Sequence, residues 1–222
     1  MRPFVVMKFG GTSVADRGCW ETVVEQARQH LMAGRSPVVV CSAVGGVSDA
    51  LDKLPEQALG EGFERTLDEI KARHRKLGEG LGVDSDALLA DEFEALRRIA
   101  LGSSLIGEVG ARQRARIMAS GELMSTKLGA AFFAAQGVDC RWQDAREALL
   151  SVRSSGGDWH RYMSARCQPA FDPELSERWA GDTAQVHLTQ GFIARDSDGE
   201  TVLDLGSGAG FDEVVQRSPG RW

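Results

Sequence analysis

The strongest constraint on the fold is a pair of short apolar segments near the N-terminus with a helical pattern between them. Residues 3–9 are rich in Val and Phe, and "PVVVCSA" at 37–43 is apolar without alternation, as is typical of a strand covered on both faces. From Trp20 to Met32 apolar residues recur at helical spacing, and Gly34 follows the last of them. A strand, a helix and a second strand within about forty residues predict a βαβ unit, and hence a parallel sheet.

The remaining segments predict one α/β domain with a helical subregion inserted in it. The stretch 61–135 is mostly helical in pattern. Breaks in it are expected near three residues: Gly82, Asp84 and Gly102. Strand patterns return at 138–145 and at 184–194. Between them, the glycines, serines and prolines of 151–183 predict a loop-rich excursion with one short helix near 173–179.

Composition narrows the classes of function. The 222-residue chain has a net charge of −6 and a pI near 5.3, so charge does not favour a nucleic-acid partner. Its four cysteines and four histidines are dispersed without metal-ligand spacing, which predicts no metal site and no disulfide framework. No segment approaches transmembrane length, and the first apolar run is too short for a signal peptide. We therefore expect a cytoplasmic protein with no membrane partner.

The segment "VVMKFGGTSVAD" at 5–16 places a cation and two glycines at the end of the first predicted strand. Ligands of open parallel sheets bind at the carboxyl ends of the strands. Gly10 and Gly11 would let backbone N–H groups approach an anion, and Lys8 would neutralise phosphate charge. A tight turn beside a solvated lysine explains the same letters, so both interpretations stand on this segment alone.

Two further segments lie where such a site would recruit residues. In "SAVGGVSDAL" at 42–51, Ser48 stands at a predicted helix start, where it is either a ligand-binding hydroxyl or a helix N-cap. In "MASGELMSTKLGAAF" at 118–132, Glu122 is surrounded by small and apolar residues. A carboxylate there needs a donor or a cation, because an unpaired buried charge is costly. The alternative is that Glu122 caps the following helix.

Taken together, four ordered segments resemble the aspartate kinases of the amino-acid kinase superfamily. They are "KFGGTSVAD" at 8–16, "SAVGGVSDAL" at 42–51, "SGELMST" at 120–126 and "TQGFI" at 189–193. The resemblance implies a mostly parallel sheet between layers of helices. It also implies transfer of the γ-phosphoryl group of MgATP to the side-chain carboxylate of L-aspartate, the first step toward lysine, threonine and methionine. No tightly bound cofactor is expected.

The same resemblance implies roles for individual residues. Lys8 would stabilise the phosphoryl group during transfer, while the backbone at Gly10 and Gly11 and the hydroxyl of Ser13 would lie against the phosphates. Ser48 and Glu122 would bind L-aspartate, Glu122 through the amino group. Partners are therefore ATP and L-aspartate, and a homo-oligomer is a further expectation.

The C-terminal residues depart from the family pattern. Family members continue with "GRGGSD", whereas residues 204–222 here lack an arginine at that place, and Asp212 is the candidate for the missing acid. The family's adenine- and ribose-binding segments and its ACT domains lie beyond this point. The sequence thus predicts an incomplete, C-terminally truncated kinase domain at 1–203, a divergent tail at 204–222 and no ACT domain. Weak or absent activity of this chain alone follows as an expectation.

Two alternatives to a kinase remain at this point. "VLDLGSGAG" at 202–210 resembles the glycine-rich first motif of S-adenosylmethionine-dependent methyltransferases, although only twelve residues follow it. A non-catalytic module that pairs with a full-length kinase is the second alternative.

Overall fold

A four-stranded parallel sheet forms the centre of the fold, in a computed structural model that describes residues 2–60, 62–152, 155–167 and 171–204. The order across the sheet is β1-β2-β4-β3. Its strands are β1 (Phe4–Phe9), β2 (Ser36–Cys41), β3 (Cys140–Trp142) and β4 (Val186–Gln190). The predicted βαβ unit is confirmed, because β1 and β2 pair in parallel and helix α1 (Arg17–Met32) connects them.

Helices follow in the order that the pattern predicts. A short 3-10 turn, Gly11–Val14, precedes α1. The helical subregion contains α2 (Val47–Leu59), α3 (Phe63–Leu81), α4 (Ser85–Leu88), α5 (Ala90–Ile106) and α6 (Ala111–Ala135). Three shorter helices follow: α7 (Ala145–Ala148), α8 (Asp158–Met163) and α9 (Pro173–Ala180). The chain then forms β4 and an antiparallel hairpin of β5 (Ile193–Arg195) and β6 (Thr201–Leu203).

Both faces of the sheet are covered. Along β2, Val39 and Cys41 belong to one apolar cluster, whereas Val38 and Val40 belong to another. The first cluster holds residues of α1, α2, α3 and α5, and the second holds residues of the β5–β6 hairpin with α7, α8 and α9; α6 contributes to both. This double burial is why β2 reads as continuously apolar, and the predicted sheet between helices is confirmed.

Two local predictions in the helical regions were wrong. Gly102 lies inside α5, where nothing would contact a side chain, and the helix ends instead at Gly107, whose φ of 76° suits a left-handed cap. The predicted loop at 151–183 contains α8 in addition to the expected helix α9. Gly82 and Asp84 do cap helices, α3 and α4 respectively.

Asp212 and the tail from residue 205 lie outside the described residues. Within the described part, no helix combines the length and apolar character needed to cross a bilayer. The four cysteines are free thiols.

Candidate active site

The carboxyl ends of three strands lie side by side at one edge of the sheet. Phe9 at the end of β1 pairs with Cys41 at the end of β2, which in turn pairs with Gln190 at the end of β4. The loops that follow β1 and β2 therefore begin next to each other. This edge is where ligands of parallel α/β sheets bind.

Lys8 is the penultimate residue of β1, opposite Val40 of β2. Its side chain is exposed, and no carboxylate among the described residues forms an ion pair with it. An ammonium group at this edge that no described carboxylate neutralises can attract an anionic ligand.

The glycines after β1 bring the two loops into backbone contact. Ser13 N–H donates to Gly10 O at 2.8 Å, which closes the 3-10 turn and leaves Ser13 half-buried. A Cβ on Gly11 would lie 2.8 Å from the carbonyl oxygen of Ala43, so only glycine permits this approach without a backbone shift. Gly10 has no neighbour that a Cβ would contact, so the backbone there is open to a ligand.

The start of α2, after the turn that follows β2, excludes one of the two interpretations of Ser48. The residue that precedes α2 is Gly46, with φ of 78°, and no side chain caps the helix. Ser48 is the second residue of α2 and is exposed. The N-cap interpretation of Ser48 is therefore wrong, and its hydroxyl is accessible at the start of the helix.

Glu122 lies inside α6 and is only 5% exposed. Its Oε1 accepts a long hydrogen bond, 3.4 Å, from the N–H of Ala43 in the loop after β2. Burial raises the pKa of the Glu122 carboxyl to about 7, and the hydrogen bonds from backbone N–H groups only partly offset this. The capping interpretation is wrong because Glu122 is far from either helix end. The donor that it needs is an amide rather than a cation.

Small and hydroxyl-bearing residues of α6 hold Glu122 against the loops. A Cβ on Gly121 would lie 2.9 Å from the Cβ of Ala43, so the missing side chain lets α6 approach the loop after β2. Ser125 Oγ donates to Ser42 O at 2.9 Å. Ser125 is a site residue that the sequence alone did not reveal, although "SGELMST" contains the signal: small polar residues within a buried helix.

Thr126 connects α6 to the other strands of the edge. Its Oγ1 accepts hydrogen bonds from Trp142 Nε1 at 2.9 Å and from Gln190 Nε2 at 2.8 Å. The same hydroxyl donates to Glu122 O at 2.8 Å. The backbone at Glu122 is thus fixed relative to β3 and β4, and Thr126 is a second site residue that the sequence alone did not reveal.

The turn after β4 contains an unusual backbone conformation. Phe192 has φ of 67°, a left-handed value that is strained for a bulky residue. Asp204 N–H donates to Phe192 O at 2.7 Å and Gly191 N–H to Cys41 O at 3.0 Å. Strained residues held by surrounding structure concentrate at functional sites, and this one lies at the same sheet edge.

The structure thus brings most predicted site residues to one edge: Lys8, Gly10, Gly11, Ser13, Ser48 and Glu122 all lie on β1, the two loops or the helices packed against them. The exposed cationic and backbone groups of this arrangement can bind an anion. The carboxylate beside them can bind a cationic group. Over residues 2–60, 62–152, 155–167 and 171–204, no cluster of three His, Cys, Asp or Glu side chains could hold a metal ion.

Comparisons with known proteins agree with this geometry. A sequence model of the amino acid kinase family matches residues 3–210. Among curated proteins, the chain is 30% identical to the chloroplastic aspartokinase 3 of Arabidopsis thaliana, over 91% of this chain and 36% of that protein. It is 29% identical to the lysine-sensitive aspartokinase 3 of Escherichia coli, over 94% of this chain and 44% of that protein. The chain spans less than half the length of these relatives.

The comparison with solved structures indicates the same family. Escherichia coli aspartokinase III in complex with aspartate and ADP superposes with a TM-score of 0.73 at 25% identity, over 94% of this chain and 44% of that one. The family match also includes 202–210, the segment that suggested a methyltransferase, and so counts against that alternative. The proposed domain boundary at 203 stays a prediction. On its sequence and on its fold, the chain belongs to the amino acid kinase family.

Proposed function

We propose that this domain is an aspartate kinase-type phosphotransferase, which transfers the γ-phosphoryl group of ATP to the β-carboxylate of L-aspartate to give 4-phospho-L-aspartate. The observation that carries the proposal is the buried carboxylate of Glu122 in contact with the loop after β2, at the edge where Lys8 is the penultimate residue of β1. The similarity to curated aspartokinases supports it.

Phosphoryl transfer requires positioning and charge stabilisation more than covalent help from the protein. In this proposal Lys8 stabilises the negative charge of the phosphoryl group, and the N–H groups of Gly10 and Gly11 donate to its oxygens. Ser13 contributes a hydroxyl beside the phosphates. ATP enters as its Mg²⁺ complex, a substrate rather than a resident cofactor.

L-Aspartate would be bound by Glu122 and Ser48. Its ammonium group pairs with the Glu122 carboxylate, and the hydroxyl of Ser48 donates to one of its carboxylates. A cation that binds beside a buried carboxyl with a pKa near 7 strongly stabilises the charged form of that carboxyl, because the ion pair offsets the cost of burying the charge. Binding of the amino group therefore lowers the pKa of Glu122.

The wider context follows from the same proposal. The reaction would open a route to lysine and threonine, in the cytoplasm, and association with a second copy is an expectation. No nucleic-acid or membrane partner is part of it. The relatives are more than twice as long as the chain, so turnover by this chain alone is a separate question for experiment.

Calorimetric binding of L-aspartate tests the site directly. Glu122→Gln should weaken L-aspartate binding by about 10- to 100-fold, because a charge-assisted hydrogen bond is lost. Succinate, which lacks the amino group, should bind the wild type and the variant alike. Glu64→Gln, at an exposed position in the first turn of α3, is the matched control. Equal losses for succinate and L-aspartate would contradict the role of Glu122.

Turnover is measured by trapping the acyl phosphate with hydroxylamine. Formation of the hydroxamate that depends on both ATP and L-aspartate, and that Lys8→Ala abolishes, would support the transferase. Robust turnover would at the same time overturn the expectation that this chain is weakly active or inactive alone.

A further inference from the structure

One cavity lies outside the set of residues proposed for the kinase reaction. It has a volume of about 450 Å³ and lies between the start of α1, the turn after β2 and one face of α3. Val44 and Gly45 line it, but Lys8, Ser48 and Glu122 do not. Its volume is within the range of small-molecule sites.

The charged residues of this cavity are mostly cationic. Arg17, Arg73 and Lys76 line it, against one acid, Asp16. The Asp16 carboxylate caps α1 by accepting from Cys19 N–H at 3.0 Å. The predominance of cations contrasts with the net charge of −6 of the whole chain.

The three cations differ in how far the protein already satisfies them. Arg17 donates to Glu21 Oε1 at 2.7 Å and to Gly80 O at 3.0 Å, which fixes it at one wall. Arg73 and Lys76 form no ion pair within the described part of the chain. They are three residues apart on α3, so both side chains project from one face of the helix.

A glycine makes room for the guanidinium group of Arg73. Gly46 in the turn after β2 has φ of 78°, and a Cβ there would lie 3.0 Å from Arg73 Nη1 and 3.4 Å from its Cζ. The guanidinium group therefore rests against the bare backbone of this turn. Arg73 is exposed, and this contact places its guanidinium group beside the cavity, where no described carboxylate pairs with it.

We propose that this cavity binds a small anion that carries phosphate groups, at a site separate from the one that contains Lys8 and Glu122. Arginine donates to two phosphate oxygens at once, and lysine adds a point charge beside it. Arg73 and Lys76 are the residues that bind the anion, while Arg17 shapes the wall. The inference goes beyond the proposed kinase reaction and does not depend on it.

Calorimetric titration with inorganic pyrophosphate tests the site, at low ionic strength because salt screens exposed charges. Saturable binding is expected. The double variant Arg73→Gln/Lys76→Gln should weaken it by about tenfold or more, since charge-assisted hydrogen bonds are lost. The control is Lys53→Gln/Arg65→Gln, which removes the same charge from exposed positions on α2 and α3 outside the cavity. This control and Lys8→Gln should each retain the binding that the double variant loses.

Three results would overturn the proposal. The first is absence of saturable pyrophosphate binding by the folded wild type, verified by circular dichroism. The second is an equal loss in the cavity variant and in the control double variant, or a loss in Lys8→Gln only, which would place the anion at the proposed kinase site. The third is binding of malonate as tight as that of pyrophosphate, which would exclude a preference for phosphate.

Discussion

The two sides of the candidate active site are built in different ways. The end of β1, the loop that follows it and the start of α2 contribute exposed groups: the Lys8 side chain, the backbone at Gly10 and the Ser48 hydroxyl. Helix α6 contributes a carboxylate that is 5% exposed and that reaches an amide of the neighbouring loop. One side depends on local backbone conformation, whereas the other depends on how a long helix packs. Substitutions that disturb the packing of α6 should therefore affect the buried side of the site more than the exposed side.

We expect the largest change in stability from a substitution at the contact between α1 and α6. A Cβ on Gly129 of α6 would overlap the indole ring of Trp20, which is fully buried on α1. Gly129→Ala should therefore lower the free energy of unfolding by about 3 kcal/mol or more, because a rigid ring and two packed helices must shift. Urea denaturation followed by circular dichroism measures this change.

Gly102→Ala is the matched control, since Gly102 is also inside a helix but has open space around it. The control should raise the stability by up to about 1 kcal/mol, through better helix propensity. If Gly129→Ala were as stable as the wild type, the close approach of Gly129 to Trp20 would not constrain how α1 and α6 pack.

The second-largest expected effect is a pH dependence of the unfolding free energy, which distinguishes the buried carboxyl from the exposed groups. The pKa of Glu122 is about 7 in the fold, above its ordinary value of 4.5, so between these values the folded chain holds a proton that the unfolded chain has lost. Unfolding free energy should therefore fall as the pH rises from 5 to 8, by up to about 3 kcal/mol from this group. Glu122→Gln should remove this contribution.

Denaturation of both proteins at pH 5 and pH 8 measures the difference, and other titrating groups cancel in the comparison. Glu122→Gln should gain stability relative to the wild type at pH 8 but not at pH 5. Glu64→Gln, which removes an exposed carboxyl, is the control for the loss of a carboxyl as such. An unchanged pH dependence in Glu122→Gln would mean that the carboxyl is solvated.

The exposed side of the site could be predicted from the sequence more completely than the buried side. Gly10 and Gly11 follow a strand directly, so their position at the sheet edge follows from short-range pattern and the βαβ rule. The partner of Glu122 is 79 positions away at Ala43. Helical periodicity cannot identify a contact at that separation, which is why the sequence predicts only that Glu122 needs a donor or a cation.

The wrong predictions have a similar origin. Ser48 and Glu122 were each compatible with a capping role, because serine and glutamate favour helix ends. Instead, Gly46 precedes the helix start with a left-handed φ of 78°, and α6 continues through Glu122 to Ala135. Gly102 shows the converse: a glycine that predicts a break is tolerated inside α5, where no neighbour restricts it.

The smallest expected effect concerns the hydrogen bond that joins the two sides directly. Ser125 Oγ donates to Ser42 O, across from α6 to the loop after β2, whereas Ser120 Oγ donates to Ile117 O within α6 itself. Ser125→Ala should cost about 1 kcal/mol of unfolding free energy and leave the Ser42 carbonyl without this donor. Ser120→Ala removes a comparably buried hydroxyl but no contact between the two sides. L-Aspartate binding should therefore weaken in Ser125→Ala and not in Ser120→Ala, and equal effects of the two substitutions would show that the loop holds its position without help from α6.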